Sequence, residues 1–505
     1  MRCSRFDQLI RRAAVIAAMV LGGGPALCAQ PLIEYRFDDP SFFATGTVAN
    51  ARGASYAGSL SGTRSQVRGA LGNGVQFDGN SGFMSAPSTT GLNFGALTVE
   101  AFIRRDANTD EDGIVSKWAL GNQFLLSMYP TGKGRLTFSV RGAAGIYGSI
   151  SYDLPDLTYI GEWVHVAATY DGAGNFRLYW NGTLVASSLV PISGMATGSG
   201  PIRVGDAGNN WSRFKGAIDE VKIWNRALLA ADISRPLRPR VLVVEYTSND
   251  PTYNDPRAIS TALINAVSDA SLYVRYQITQ WDFSGIRPPQ RSVGGFDYAA
   301  LFSRYDVCGK ARRGDIHEVW VWAGPDGGFK AESAVTGPWR EIYGAGLGMP
   351  RCDTQMVTMG FNYQRLLQEA EESFAHRLEQ LYRFYWTAAL WDKFDGQYYR
   401  YGYETSPPRP QPPLVTTGAH CGNAHYPPNA DQTREWNSAD LVSSNCATWR
   451  SDGTGTYVNI NCGVWPWFCT QSGFYRWWMQ NMPGPINSHG PGGTRLQNWW
   501  SVLTQ

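Results

Sequence analysis

The proline-rich, charged stretch Arg235-Pro236-Leu237-Arg238-Pro239-Arg240 separates two regimes of hydrophobic patterning that no single layer can satisfy. Before it, short segments alternate in period two, as in Val99-Glu100-Ala101-Phe102-Ile103, Leu136-Thr137-Phe138-Ser139-Val140 and Phe176-Arg177-Leu178-Tyr179-Trp180. Asp78-Gly79-Asn80, Asp171-Gly172-Ala173-Gly174 and Asn181-Gly182 punctuate them, which predicts an antiparallel sandwich or jelly roll. After it, Val241-Leu242-Val243-Val244 is continuously apolar, as a strand covered on both faces would be. Helical spacing over 258–267 and 363–390 alternates with strand-like runs at 272–278, 316–322 and 356–361, which predicts a mainly parallel sheet with helices on its faces. The expected organisation is a signal peptide over 1–29, a jelly roll over 30–233, a linker over 234–240 and an α/β domain over 241–505.

Export is expected from the N-terminus. Arg2, Arg5, Arg11 and Arg12 precede the apolar run 13–21, Gly22-Gly23-Gly24-Pro25 breaks it, and Ala26-Leu27-Cys28-Ala29 supplies small residues for cleavage. The run is far shorter than the ~20 apolar residues of a membrane span. Six cysteines lie beyond it: Cys308, Cys352, Cys421, Cys446, Cys462 and Cys469. In an exported chain they read as disulfides, with all fifteen pairings open. A net charge of +2 argues against a surface built to neutralise nucleic-acid phosphates.

Several ordered segments of the first half resemble the laminin-G-like, concanavalin-type jelly rolls. They are Glu34-Tyr35-Arg36-Phe37-Asp38, Gly74-Val75-Gln76-Phe77-Asp78-Gly79, Leu97-Thr98-Val99-Glu100-Ala101-Phe102-Ile103, Trp163-Val164-His165-Val166 and Phe214-Lys215-Gly216-Ala217-Ile218-Asp219-Glu220-Val221. The resemblance implies two packed antiparallel sheets, use as a module binding extracellular glycan or glycoprotein, and one Ca²⁺ held by Asp38 and Asp219. The alternative for these two carboxylates is that they tie the terminal strands together by hydrogen bonds. The second half is similar only to uncharacterised secreted bacterial proteins, so its chemistry rests on its own residues.

There the helix over 363–390 stands out. Leu367, Ala370, Phe374, Leu378 and Leu381 form one apolar stripe, and Glu372, His376 and Glu379 fall on the opposite side. Side chains three and four apart converge, and His420 and His425 in the cysteine-rich loop could close a shell around a zinc ion. In that arrangement His376 and His425 ligate, Glu379 completes the shell and Glu372 is the base. The competing reading is an exposed face laced by i,i+4 pairs such as Arg365–Glu369, Glu372–His376 and Glu379–Arg383. A second candidate places Glu245 and Glu332 beyond the C-terminal strand ends of the sheet, as an acid/base pair for glycoside cleavage. The function expected is a hydrolase of extracellular polymer, with a non-catalytic lectin or adhesin and a metallopeptidase as alternatives.

Overall fold

The computed structural model describes residues 30–504 apart from 88–91, 109, 119–122, 209–211, 247–252, 286, 293, 325–331, 343–346, 386–387, 397–419, 431–433, 451, 468 and 485–497. The signal segment 1–29 lies outside the described residues, as does the proline-rich run 407–413.

The first half forms two eight-stranded antiparallel sheets. One runs Thr183–Leu189, Asn175–Trp180, Val164–Tyr170, Leu97–Arg105, Lys215–Trp224, Asn73–Asp78, Arg64–Arg68, with Ile33–Tyr35 also paired to Lys215–Trp224. The other runs Tyr147–Asp153, Arg135–Arg141, Phe124–Tyr129, Asp112–Lys117, Ile202–Val204, Phe83–Ala86, Gly58–Ser61, Thr47–Val48. Alternation does its expected work: Val99, Ala101, Ile103, Leu136, Phe138, Val140, Phe176 and Leu178 fill one core between the sheets.

The second half is built on β1 (Arg240–Glu245), β2 (Gln277–Phe283), β3 (Glu318–Ala323), β4 (Glu332–Thr336) and β5 (Met356–Asn362), in the spatial order β2-β1-β3-β5-β4. β2, β1, β3 and β5 are parallel. The edge strand β4 runs antiparallel to β5, so the sheet is mixed. Helices α1 (Pro256–Ser271), α4 (Leu367–Tyr385), α5 (Ala388–Asp395) and α6 (Gln471–Asn481) share a core with Val241, Val243, Trp320, Trp322 and Met359 on one face of the sheet. On the other face α2 (Tyr298–Arg304) and α3 (Val307–Arg312) pack on Leu242, Val244, Val319 and Val321. Odd and even residues of one strand thus serve different cores, which is why Val241 to Val244 of β1 are all apolar.

Two boundaries differ from expectation for local reasons. α1 starts early, because Asp255 accepts a hydrogen bond from the Arg257 backbone N–H and Pro256 takes the first turn. It runs on to Ser271, and Leu272 closes it in the left-handed region, so the next strand starts at Gln277 and not at Leu272. The long helix ends at Tyr385 and a second begins at Ala388.

The connector is not a solvated linker. Leu237 is buried, its N–H donates to the Tyr273 carbonyl, and Arg240 opens β1. Phe102, Trp163 and Ala217, on the outer face of the first jelly-roll sheet, join the core of the second domain. Arg240 is the electrostatic centre of that contact. Its guanidinium lies 2.8 Å from Glu220, 3.7 Å from Glu34 and 3.8 Å from Asp38, all buried.

The disulfides are Cys308–Cys352, Cys421–Cys446 and Cys462–Cys469. Peptide mapping without reduction should return these three pairs, and a crossed pair would contradict the fold. Removing one partner from a buried charge cluster costs about 3–5 kcal/mol. Arg240→Met should therefore lower stability by that amount in urea and split one unfolding transition into two. A single transition shifted by less than about 1 kcal/mol would show that Arg240 does not couple the domains.

Candidate functional site

α4 is clamped from beneath before it presents anything to a ligand. Arg377, fully buried, donates to both carboxylate oxygens of Glu318 on β3 at 2.7 and 2.8 Å, and to the Leu503 carbonyl at 2.7 Å. Tyr276 and the Trp320 indole N–H complete the acceptor set of Glu318. This fixes the helix in rotation and along its axis. Its opposite face is not a solvated surface, because residues of 420–430, Arg434 and the start of α6 contact it, and Glu372 is only 6% exposed. Of the expected i,i+4 pairs, Glu372–His376 is present at 3.9 Å. Glu369 instead accepts from the Leu366 N–H, and Arg383 approaches Asp392 at 3.9 Å.

The covering loop is held at many points. Cys421 is bonded to Cys446, and the N–H groups of Cys421 and Gly422 donate to the carbonyls of Phe394 and Asp395. Gly422 has φ +74°, and a Cβ there would meet the Tyr426 carbonyl at 2.2 Å, so the turn requires glycine. Asn423 accepts from the N–H groups of His425 and Tyr426 and donates to Asp395. Tyr475 and Trp478 of α6 donate to the Ala424 and Gly422 carbonyls.

This framework brings His425 onto the helix. Its Nε2 lies 3.1 Å from His376 Nε2 and 3.2 Å from Glu372 Oε1. Glu372, His376 and His425 thus converge on one point, each offering one ligand atom. Glu379 is placed differently from expectation. One oxygen contacts His376 Nδ1 at 2.9 Å and the other accepts from the Ala424 N–H, so it holds the ring and the loop behind the cluster. Glu372, expected as the base, faces the convergence point, and Glu379, expected in the shell, orients an imidazole instead.

Burial raises the Glu372 pKa, but hydrogen bonds from His425 and Arg434 outweigh it and hold the carboxyl at about 2. Burial lowers the His376 pKa, and the bond to Glu379 more than offsets this, so it stands above its ordinary value. His420 is not in the cluster. Its Nδ1 pairs with Asn445 Oδ1 and its ring packs over Gly396.

The strand-end carboxylates do not form a catalytic pair. Both oxygens of Glu245 are engaged, by the Tyr253 hydroxyl at 2.5 Å and the Trp281 indole N–H at 3.1 Å. Glu332 begins the antiparallel edge strand, three inter-strand spacings away in the sheet. That places the two backbones about 14 Å apart, with the sheet between them.

Asp38 and Asp219 use oxygens on main-chain N–H groups: Asp38 accepts from Asn73, and Asp219 from Leu71 and Glu220. Burial raises both carboxyls well above the usual range. Asp38, Glu220 and His317 form a second convergent group, with the Arg240 guanidinium 2.8 Å from His317 Nε2. Glu220, His317 and Arg240 were not singled out from sequence. Arg240 lies in a stretch whose composition reads as linker, and the other two lie inside strand-like runs.

No helix among the described residues is long and apolar enough to cross a membrane. A search of curated proteins finds no match. Among solved structures, the binding domain of Paraclostridial Mosquitocidal Protein 1 is 18% identical over 41% of this chain and 54% of that one, with TM-score 0.34. Domain 4 of AbnA, an extracellular GH43 arabinanase from Geobacillus stearothermophilus solved with arabinotriose, is 20% identical over 41% and 97%, with TM-score 0.32. The receptor-binding domain of botulinum neurotoxin type G is 16% identical over 42% and 53%, with TM-score 0.33. The chain thus spans about half the length of the two toxin domains it matches. A laminin-G family model described as the concanavalin A-like lectin/glucanases superfamily matches residues 78–234. The N-terminal domain is therefore a laminin-G-like jelly roll of that superfamily.

Proposed function

We propose that the second domain is a zinc-dependent hydrolase of extracellular polymer and that the jelly roll is its glycan-binding module in an exported protein. One observation carries the first part. The ligand atoms of His376, His425 and Glu372 are separated by 3.1, 3.2 and 3.9 Å. Tetrahedral zinc with bonds of about 2.0–2.1 Å needs ligand–ligand edges of about 3.3 Å. Two histidines and one carboxylate leave the fourth corner for water, the composition of a catalytic rather than a structural site. Zinc there acidifies bound water and polarises the scissile group.

Glu379 supplies what such a site needs behind the metal. By accepting from Nδ1–H it fixes the His376 tautomer with Nε2 turned toward the ion. Half-buried His376 and His425 leave the site open to a polymer. The glycan-binding role of the jelly roll rests on its superfamily, and three disulfides suit an exported chain. If the second domain carries no metal, the reading passes to a lectin or adhesin in which both domains only bind.

Elemental analysis of the purified protein should find close to one zinc per chain, lost in His376→Ala. Glu379→Gln should retain the fold and weaken zinc affinity by roughly 10–100-fold. Calcium alone, unchanged by His376→Ala, would place the ion in the jelly roll and remove the hydrolase proposal.

A further inference from the structure

One charged side chain at the cluster has no part in the scheme above. Arg434 Nη2 lies 2.9 Å from Glu372 Oε1 and 3.5 Å from His425 Nε2. Both distances are close to the ~3.3 Å edge of a zinc tetrahedron and far from a ~2 Å bond to its centre. The guanidinium therefore stands beside the convergent atoms of Glu372 and His425, within hydrogen-bond reach of both. It is also held there: the Arg434 N–H donates to the His425 carbonyl at 2.6 Å, and its backbone sits in the left-handed region at φ 62°.

A metal held by Glu372 would compete with Arg434 for Oε1, the oxygen that the guanidinium contacts, whereas Oε2 is bonded to Gln471 Nε2 at 3.2 Å. Arg434 would then be free to take another anionic partner, while its backbone tether keeps it beside the site. Its side chain is 57% exposed against 7% for Glu372, so it can swing toward an incoming ligand. Guanidinium recognises carboxylate through two parallel N–H···O bonds, which hydroxyl groups do not match in charge or geometry.

Resting on the zinc reading, we infer that Arg434 is a specificity-determining residue that selects a substrate bearing a carboxylate beside the scissile bond, namely a uronate-containing glycan. The sugar class follows from the lectin/glucanase-type domain on the same chain. Arg434 pairs with Glu372 without substrate and exchanges that bond for one to the substrate's acid group.

The test uses the zinc-loaded full chain with D-glucuronate, D-glucose and inorganic phosphate as probes, read by titration calorimetry. D-glucuronate should bind at least tenfold more tightly than D-glucose. Arg434→Gln should keep its zinc and lose at least tenfold in D-glucuronate affinity, and Arg434→Lys should recover part of it. Equal D-glucuronate affinity in Arg434→Gln, or tighter binding of phosphate than of D-glucuronate, would overturn the inference while leaving the zinc site intact. Loss of zinc from Arg434→Gln would overturn it too, making the arginine part of the scaffold. Failure of the unmutated chain to take up zinc would overturn the underlying reading and this inference together.

Discussion

A bidentate ion pair sealed from water, Arg377 to Glu318, sets the frame in which the candidate site exists. Two charges removed from solvent are costly unless their polar groups find partners, and here Tyr276, Trp320 and the Leu503 carbonyl supply further ones, although the Arg377 Nε is buried without one. The geometry that satisfies them admits one rotation of α4 about its axis. Because His376 directly precedes Arg377, that rotation also decides where the imidazole points. The same clamp positions the polar face of α4 that carries Glu372, His376 and Glu379.

The second framework is the stretch 420–430, which has no helix or strand but is tied down by side chains. Disulfide 421–446, the hydrogen bonds of Asn423, and two donors from α6 carry His425 to within 3.1 Å of His376. Rigidity here comes from side-chain anchors and not from a backbone ladder. The same holds between the domains, where Arg240 gives buried Glu34, Asp38 and Glu220 a shared positive charge and joins the jelly roll to the sheet bearing Glu318.

Much of this was legible in the chain. Period-two alternation and Gly/Asn/Asp turns marked the sandwich, and the continuous apolar run marked a strand with two covered faces. Helical spacing put Glu372, His376 and Glu379 on one side, and the cysteine-rich loop offered His420 and His425, of which His425 reaches them and His420 pairs with Asn445. What spacing could not supply was which ring nitrogen each carboxylate meets. Positions i−4 and i+3 flank a histidine almost equally, so the roles of Glu372 and Glu379 emerged only from the loop's position. Arg240 was hidden by its prolines, since a composition rich in Pro and Arg looks the same in a solvated linker and in a buried strand entry. Arg434 lies in a polar loop with no local pattern. Glu245 looked like a strand-end acid because sequence does not reveal that Tyr253 and Trp281 use both its oxygens.

Zinc-edge X-ray absorption on the protein purified with its metal shows whether His376, His425 and Glu372 hold an ion and leave one position open. Such a site gives a four-coordinate shell of light atoms at about 2.0–2.1 Å, with outer-shell scattering from two imidazoles and no sulfur. An imidazole-free oxygen shell, or a sulfur distance near 2.3 Å, would contradict it.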